Sequence, residues 1–208
     1  MQLESVEPQF SLYTLSGFAS FAASDKMEAE LLHEAELGSL VATLPSRPSP
    51  TTFHLAVCEG VPIGVATSTV GPLAELPLGL ALRAAGVDIE TEIELPGPTC
   101  ELVSVSVDPA AARDTVGVTE ALYRSFYRQA KQSSAQSAVV GVDPWIYDIL
   151  TEQYGVPFEV LGPPLDLLGR ELLAVGGRLD LLEEGIRRNA PEFFAYLELP
   201  YGIQGIAV

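Results

Sequence analysis

Between positions 100 and 107 the chain alternates. Glu101, Val103, Val105 and Val107 share one side of an extended strand, and Cys100, Leu102, Ser104 and Ser106 share the other. From 118 to 131 the period changes to that of a helix. Val118, Leu122 and Phe126, with Ala121 and Ala130, form an inward stripe that leaves Glu120, Arg124, Arg128 and Lys131 outside it. The link between the two bends at Asp108-Pro109 and holds Gly117. A helix start leaves backbone N–H groups unpaired, its dipole favours negative charge, and a glycine lets a ligand approach the main chain closely. A pyrophosphate suits such a place.

The same patterns organise the rest of the chain. Residues 10–15 predict a first strand, and Ser24 or Asp25 caps a helix whose apolar stripe is Met27, Leu31, Leu32 and Ala35. A Pro/Ser-rich link follows at 45–50. Residues 52–58 and 61–70 are β-rich and separated by Glu59-Gly60, which predicts a hairpin. Between this hairpin and the strand at 100 lies an extra region, 71–99. There Pro77 starts a short helix through Leu80 and Ala84 that ends near Gly86. Glu90, Glu92 and Glu94 then alternate with Ile89, Thr91, Ile93 and Leu95, the pattern of a half-buried strand with an acidic outer face.

Beyond the helix at 118–131, residues 137–142 are an apolar run suited to a buried central strand. A punctuated helix comes next, with Asp143 as N-cap, Pro144 first, Ile146, Ile149, Leu150 and Tyr154 as its stripe, and Gly155 at its end. A strand at 157–161, a further strand at 172–175 and helices at 179–188 and 191–197 complete the reading, with an apolar tail at 201–208. Strand and helix alternate from 100 to 161, which favours an α/β layer arrangement.

Composition narrows the function classes. The chain has 208 residues, enough for one domain with an elaboration. Cys58 and Cys100 lack a metal spacing, and with only His33 and His54 there is no zinc ligand set, so both thiols read as buried and reduced. Neither a secretory signal nor an unbroken apolar span is visible, which predicts a cytoplasmic protein. A net charge of -17 opposes nucleic acid and anionic membranes. The charge is uneven, however. Four cations face two carboxylates across 109–131, a local +2, as a phosphate-bearing donor or an acidic carrier protein would need. The same cations also suit a solvated helix face near its favourable C-terminal end.

The strand ending Val-Asp-Pro, the arginine-containing loop with glycine and the Ala-Leu-Tyr-Arg helix together resemble the acyl-coenzyme A site of the GNAT superfamily of N-acetyltransferases. That family's loop pattern, Gln/Arg-x-x-Gly-x-Gly/Ala, falls on residues 114–119. Gly117 matches its central glycine, Asp114 stands at its basic or amide position with Arg113 adjacent, and Thr119 replaces a small residue. Over roughly 52–198 the order of features looks like the N-acyl amino acid synthases and the related acyl-homoserine-lactone synthases. These features are the proline-led insert, Glu101 on the following strand, the Asp-Pro helix, Gly155, Leu161-Gly162-Pro163 and Arg188-Asn189-Ala190-Pro191.

The resemblance implies an α/β acyl-CoA N-acyltransferase fold, with a central mixed, twisted sheet flanked by helices. It would form one domain over 1–208, with an insert at 71–99 before the central strand and a C-terminal elaboration at 164–208. It implies transfer of an acyl group, fatty in these relatives, from a coenzyme A or acyl-carrier-protein thioester to a small-molecule amine, with no permanently bound cofactor and no metal. Backbone N–H groups of Val105 and Val107 would hold the donor's pantetheine and carbonyl, with the Ser106 hydroxyl beside them. The loop and helix start at Arg113, Gly117, Val118 and Thr119 would hold its pyrophosphate. Glu101 matches the glutamate of the lactone synthases' Glu-x-Ser-Arg, while Val103 and Ser104 replace the serine and arginine, so a lactone product is not implied.

An attacking amine must shed a proton, and Glu101, starting an otherwise apolar strand face, is the candidate base. Thr151 occupies the position where many acetyltransferases carry a tyrosine acid, and Tyr147, one turn earlier, is the candidate acid. The alternative is a non-catalytic relative that binds an acyl ligand or a protein partner. The apolar insert and tail could also pair two copies into a homodimer.

Overall fold

The computed structural model describes residues 10–16, 51–109, 117–167 and 170–199. The capped helix expected from residue 24, the 45–50 link, His33, Arg113, Asp114 and the tail lie outside them. The strands are β1 (Ser11–Ser16), β2 (Thr51–Cys58), β3 (Val61–Gly71), β4 (Thr99–Val107), β5 (Ser137–Val142), β6 (Glu159–Val160), β7 (Leu165–Leu167) and β8 (Arg170–Arg178). They form one sheet in the order β1-β2-β3-β4-β5-β8-β6, with β7 on β8. Among the described residues only β4 and β5 run parallel; every other pair is antiparallel. The helices are α1 (Pro77–Ala84), α2 (Ile89–Glu92), α3 (Val118–Gln132), α4 (Pro144–Glu152), α5 (Leu179–Asn189) and α6 (Pro191–Glu198).

Local chemistry explains the joints. Glu59 and Gly60 both have positive φ, 50° and 81°, the left-handed pair that matches the twist of a two-residue hairpin between β2 and β3. Pro77 opens α1, where its missing N–H costs nothing. The half-buried strand expected at 89–95 is instead the short helix α2 followed by extended chain. The Asp88 carboxylate accepts from the Glu90 N–H and the Glu92 carboxylate accepts from the Asp88 N–H. Two reciprocal caps of this kind outweigh a weak alternation. At the C-terminal side, the expected strand at 157–161 shrinks to two exposed residues, and that at 172–175 grows into β8, which sits between β5 and β6.

Each face of the sheet has its own cover. On one face, α3, α4, α5 and α6 bury Ala66, Cys100, Leu102, Leu122, Val140 and Val175 in the main core. On the other, the insert packs Leu78, Leu82 and Ile89 over Val139 and Ala174. Behind β2, His54 is fully buried; its Nδ1 lies 2.7 Å from the Ser125 hydroxyl and its Nε2 2.9 Å from that of Ser68. Burial holds this imidazole neutral and its pKa down to about 4.

Candidate functional site

Strand β4 changes character halfway along. Its alternation is interrupted where Thr67 pairs with Ser104 and Ser68 with Leu102, so Val103 is an extra residue bulged out of the ladder. The phase of the side chains flips there. Cys100 and Leu102 before the bulge, and Val105 and Val107 after it, all meet the main core, whereas strict alternation would put the two pairs on opposite faces. The parallel ladder with β5 ends at the same place, running from Thr99–Ser137 to Leu102–Val140 and no further. Past it the two strands part into a wedge.

The wedge is lined by main chain as well as side chains. The Asp108 N–H bonds to the Ile63 carbonyl of β3 at 2.9 Å. Successive N–H groups of a strand point to opposite edges, so those of Val105 and Val107 are turned from β3 towards the wedge. These are the two groups that the family resemblance assigns to a pantetheine. Behind the wedge lies a cavity of about 520 Å³. Its lining includes Val103, Val105 and Val107 of β4, Thr119, Phe126 and Tyr127 of α3, and Leu182 and Leu197 of α5 and α6. A largely apolar chamber of this size holds a small ligand or an acyl chain.

Glu101 lies two residues before the strands part. Its side chain is on the insert face, paired in register with Val139, and it does not line the cavity. Only 4% of the residue is exposed, and both carboxylate oxygens accept from one backbone N–H, that of Leu78 in the first turn of α1, at 3.0 and 3.1 Å. Burial pushes its pKa up to about 7, against the lowering effect of the Leu78 bond. A carboxyl in this state exchanges its proton near neutral pH. Its neighbour Cys100 is pushed up to about 12 by burial and by Glu101, which keeps that thiol protonated and unreactive at neutral pH.

Gly117 has φ 89°, caps α3 without a side chain and has open space where a Cβ would project. Val118 beside it is buried against Gly64, and Thr119 reaches the cavity. Ser106 is buried on the face opposite Val105 and Val107. Tyr147 donates to the Phe158 carbonyl at 3.3 Å and is not among the lining residues. Arg113 is outside the described residues. Two cations of the basic helix face have internal duties. Arg124 donates to the Leu199 carbonyl and lies over the Tyr196 ring, and Lys131 pairs with Glu183 at 2.6 Å. Asp143 begins α4 without capping it, because its carboxylate pairs with Arg170 at 2.6 Å.

Sequence reasoning did not single out Tyr123, Tyr127, Arg170 or Phe193 as cavity residues. For Tyr127 a signal was present: it follows Phe126, so two large adjacent rings cannot both belong to a narrow inward stripe.

This topology, a mixed sheet whose two parallel strands part beside a helix start, is the GNAT-like acyltransferase fold. No protein-family model and no curated protein matches the sequence. Among solved structures, the chain is similar to FeeM, an N-acyl amino acid synthase from uncultured soil microbes, at 12% identity and TM-score 0.56, covering 86% of this chain and 96% of that one. It is also similar to BjaI, a CoA-dependent acyl-homoserine lactone synthase solved with SAM and isopentyl-CoA, at 12% identity and TM-score 0.62, covering 96% and 94%. The AHL synthase LasI aligns at 14% identity and TM-score 0.57 over 82% and 91%.

Proposed function

We propose that the protein is an N-acyltransferase that moves an acyl group from a thioester donor, coenzyme A or acyl carrier protein, onto a small-molecule amine. The observation that carries this reading is the wedge: two inward N–H groups opening onto an apolar cavity of about 520 Å³. The donor's pantetheine lies along Val105 and Val107, its acyl chain enters the cavity, and its phosphates meet Gly117 and Thr119. The amine reaches the thioester, where the strands part, from the insert face, the side that carries Glu101. Its nitrogen attacks the carbonyl carbon, the C–S bond breaks, and an amide and a thiol leave. The proton lost by nitrogen passes to Glu101 and, in the end, to the thiolate. FeeM and BjaI, whose described activities are acyl transfers, support the class of reaction.

The test is thermal stability of the full chain against butyryl-, octanoyl-, dodecanoyl- and hexadecanoyl-coenzyme A and the matching acyl-pantetheines, followed by an amine screen with the best binder. Binding to the folded state raises the melting temperature by mass action. A shift that depends on the acyl group supports the reading, and no shift with any donor overturns it. A second reading, an acyl-binding protein without transfer, draws on the engagement of both Glu101 oxygens by Leu78. Donor binding with no thiol release from any amine would favour it.

A further inference from the structure

Strand β4 leaves an exposed turn at residues 96–98 and passes at once into the interior. Its first residue, Thr99, is 1% exposed, and among the described residues its hydroxyl has no hydrogen-bond partner. A buried hydroxyl in that state calls for an explanation. The groups opposite it do not supply a partner. Ser137 in β5 donates to the Pro96 carbonyl at 3.0 Å, and Gly71 in β3 has no side chain. Two residues further on is Glu101, whose oxygens share the Leu78 N–H and take no other hydrogen bond among the described residues. The bulge at Val103 lies beyond both residues, so Thr99 and Glu101 keep one phase and share the insert face. Positions two apart on a strand are separated by about 6–7 Å. One water molecule spans that distance with a hydrogen bond of about 2.8 Å at each end.

We infer that one buried water molecule bridges the Thr99 hydroxyl and the Glu101 carboxyl, which makes Thr99 the positioning residue of the proposed base. The water site stands on the geometry of β4; its bearing on turnover rests on the acyl-transfer reading. Thr99 donates to the water oxygen, and the water donates to a Glu101 oxygen. When the carboxyl holds the amine's proton, the water turns to accept from it and donates to the Thr99 oxygen instead. A hydroxyl and a water each donate and accept, so the pair serves both charge states. The Leu78 N–H can only donate and serves the carboxylate alone. Among the described residues no charged group faces Glu101 from the elements packed against it. Its register partners are Thr69 of β3, which is engaged in a contact of its own, and Val139 of β5. Arg83 of α1 is exposed and paired with Glu90, and Cys100 points to the main core. The charge on Glu101 therefore answers to burial, to Leu78 and to this water.

The experiment joins a crystal structure of the full chain, at a resolution that shows ordered water, to an infrared titration of the Glu101 carboxyl band. The band is assigned through Glu101→Gln and followed in native protein, Thr99→Val and Thr99→Ser. The crystal is expected to hold a water within hydrogen-bond distance of both side chains. Thr99→Val keeps the shape and removes the hydroxyl, and is expected to raise the midpoint by about one pH unit, the worth of one hydrogen bond to a charged group. Thr99→Ser is expected to titrate as the native protein does. If Thr99 only fills space, Thr99→Val changes the melting temperature and leaves the midpoint alone, and the inference is overturned. A crystal with no water between the two groups overturns it equally, and decides alone if Thr99→Val does not fold. Neither readout needs an acyl donor. If the midpoint moves in Thr99→Val but the pH at which turnover rises does not, the water site stands and it is the role of Glu101 in acyl transfer that fails.

Discussion

His54 and Glu101 are both buried, ionisable and more than nine-tenths removed from water, yet they are provided for differently. Each nitrogen of His54 has a hydroxyl partner, Ser125 or Ser68, and nothing is left over. Glu101 has two oxygens and one N–H to share between them. A closed ring of partners fixes a neutral group in place, as a structural polar site requires. An under-supplied carboxyl is held close to the point of changing charge, as a proton acceptor requires. The contrast supports reading the first as architecture and the second as chemistry.

The largest effect should come from Glu101→Gln. An amide oxygen still accepts from Leu78, so the insert stays seated, but the proposed base is gone. Turnover is expected to fall by about 10²- to 10⁴-fold with the melting temperature nearly unchanged. An unfolded variant, or unchanged turnover, would make Glu101 as architectural as His54. Next, His54→Ala should leave the Ser68 hydroxyl buried without its histidine partner, remove one of the partners of Ser125, which still has Thr14 at 3.3 Å, and open a cavity, costing about 2–4 kcal/mol in urea unfolding while acyl-donor binding persists.

The pH dependence sharpens the comparison further. His54 titrates lower in the folded protein than the usual 6.5, so its stabilisation is complete above pH 6.5 and is lost as pH falls towards 4. Glu101 titrates higher than the usual 4.5, so its stabilisation is present below pH 4.5 and is lost as pH rises towards 7. Between 4.5 and 6.5 the two slopes oppose each other. Relative to the native protein, Glu101→Gln should therefore gain a stability slope of up to about +1.4 kcal/mol per pH unit in that window. Turnover, which needs the carboxylate, should rise with pH through about 7 in the native protein only.

Smaller effects are expected elsewhere. Gly117→Ala forces a side chain into a left-handed backbone and should cost about 1–2 kcal/mol and weaken coenzyme A binding together. Lys131→Met removes an ion pair whose lysine is half exposed and should cost no more than about 1 kcal/mol.

How much of this was legible in the sequence depends on the range of the interactions. The hairpin at Glu59-Gly60, the Pro77 helix and the strand–helix order around Gly117 all follow from neighbours in the chain, whereas alternation puts Glu101 on the face of Val105 and Val107 and the structure puts it on the other. The bulge at Val103 does not. It arises because β4 is paired in two different ways along its length, and a run of alternating residues gives no sign of where one partner lets go. The α2 helix was hidden by a local pattern that fits strand and cap alike, with Asp88 and Glu92 deciding the matter. The place of Tyr127 at the cavity was illegible because its partners Glu183 and Glu198 lie 56 and 71 residues further along the chain.

The bulge at Val103 also bears on how such a protein could lose its activity. Deleting that one residue would restore the alternation of β4, let its ladder with β5 run on past Leu102, and zip the wedge shut. The product would be a better sheet and a worse protein, steadier than its parent and with no place for a donor. Selection for stability alone would run in that direction, so the extra residue is a feature that the proposed donor site needs and the sheet does not.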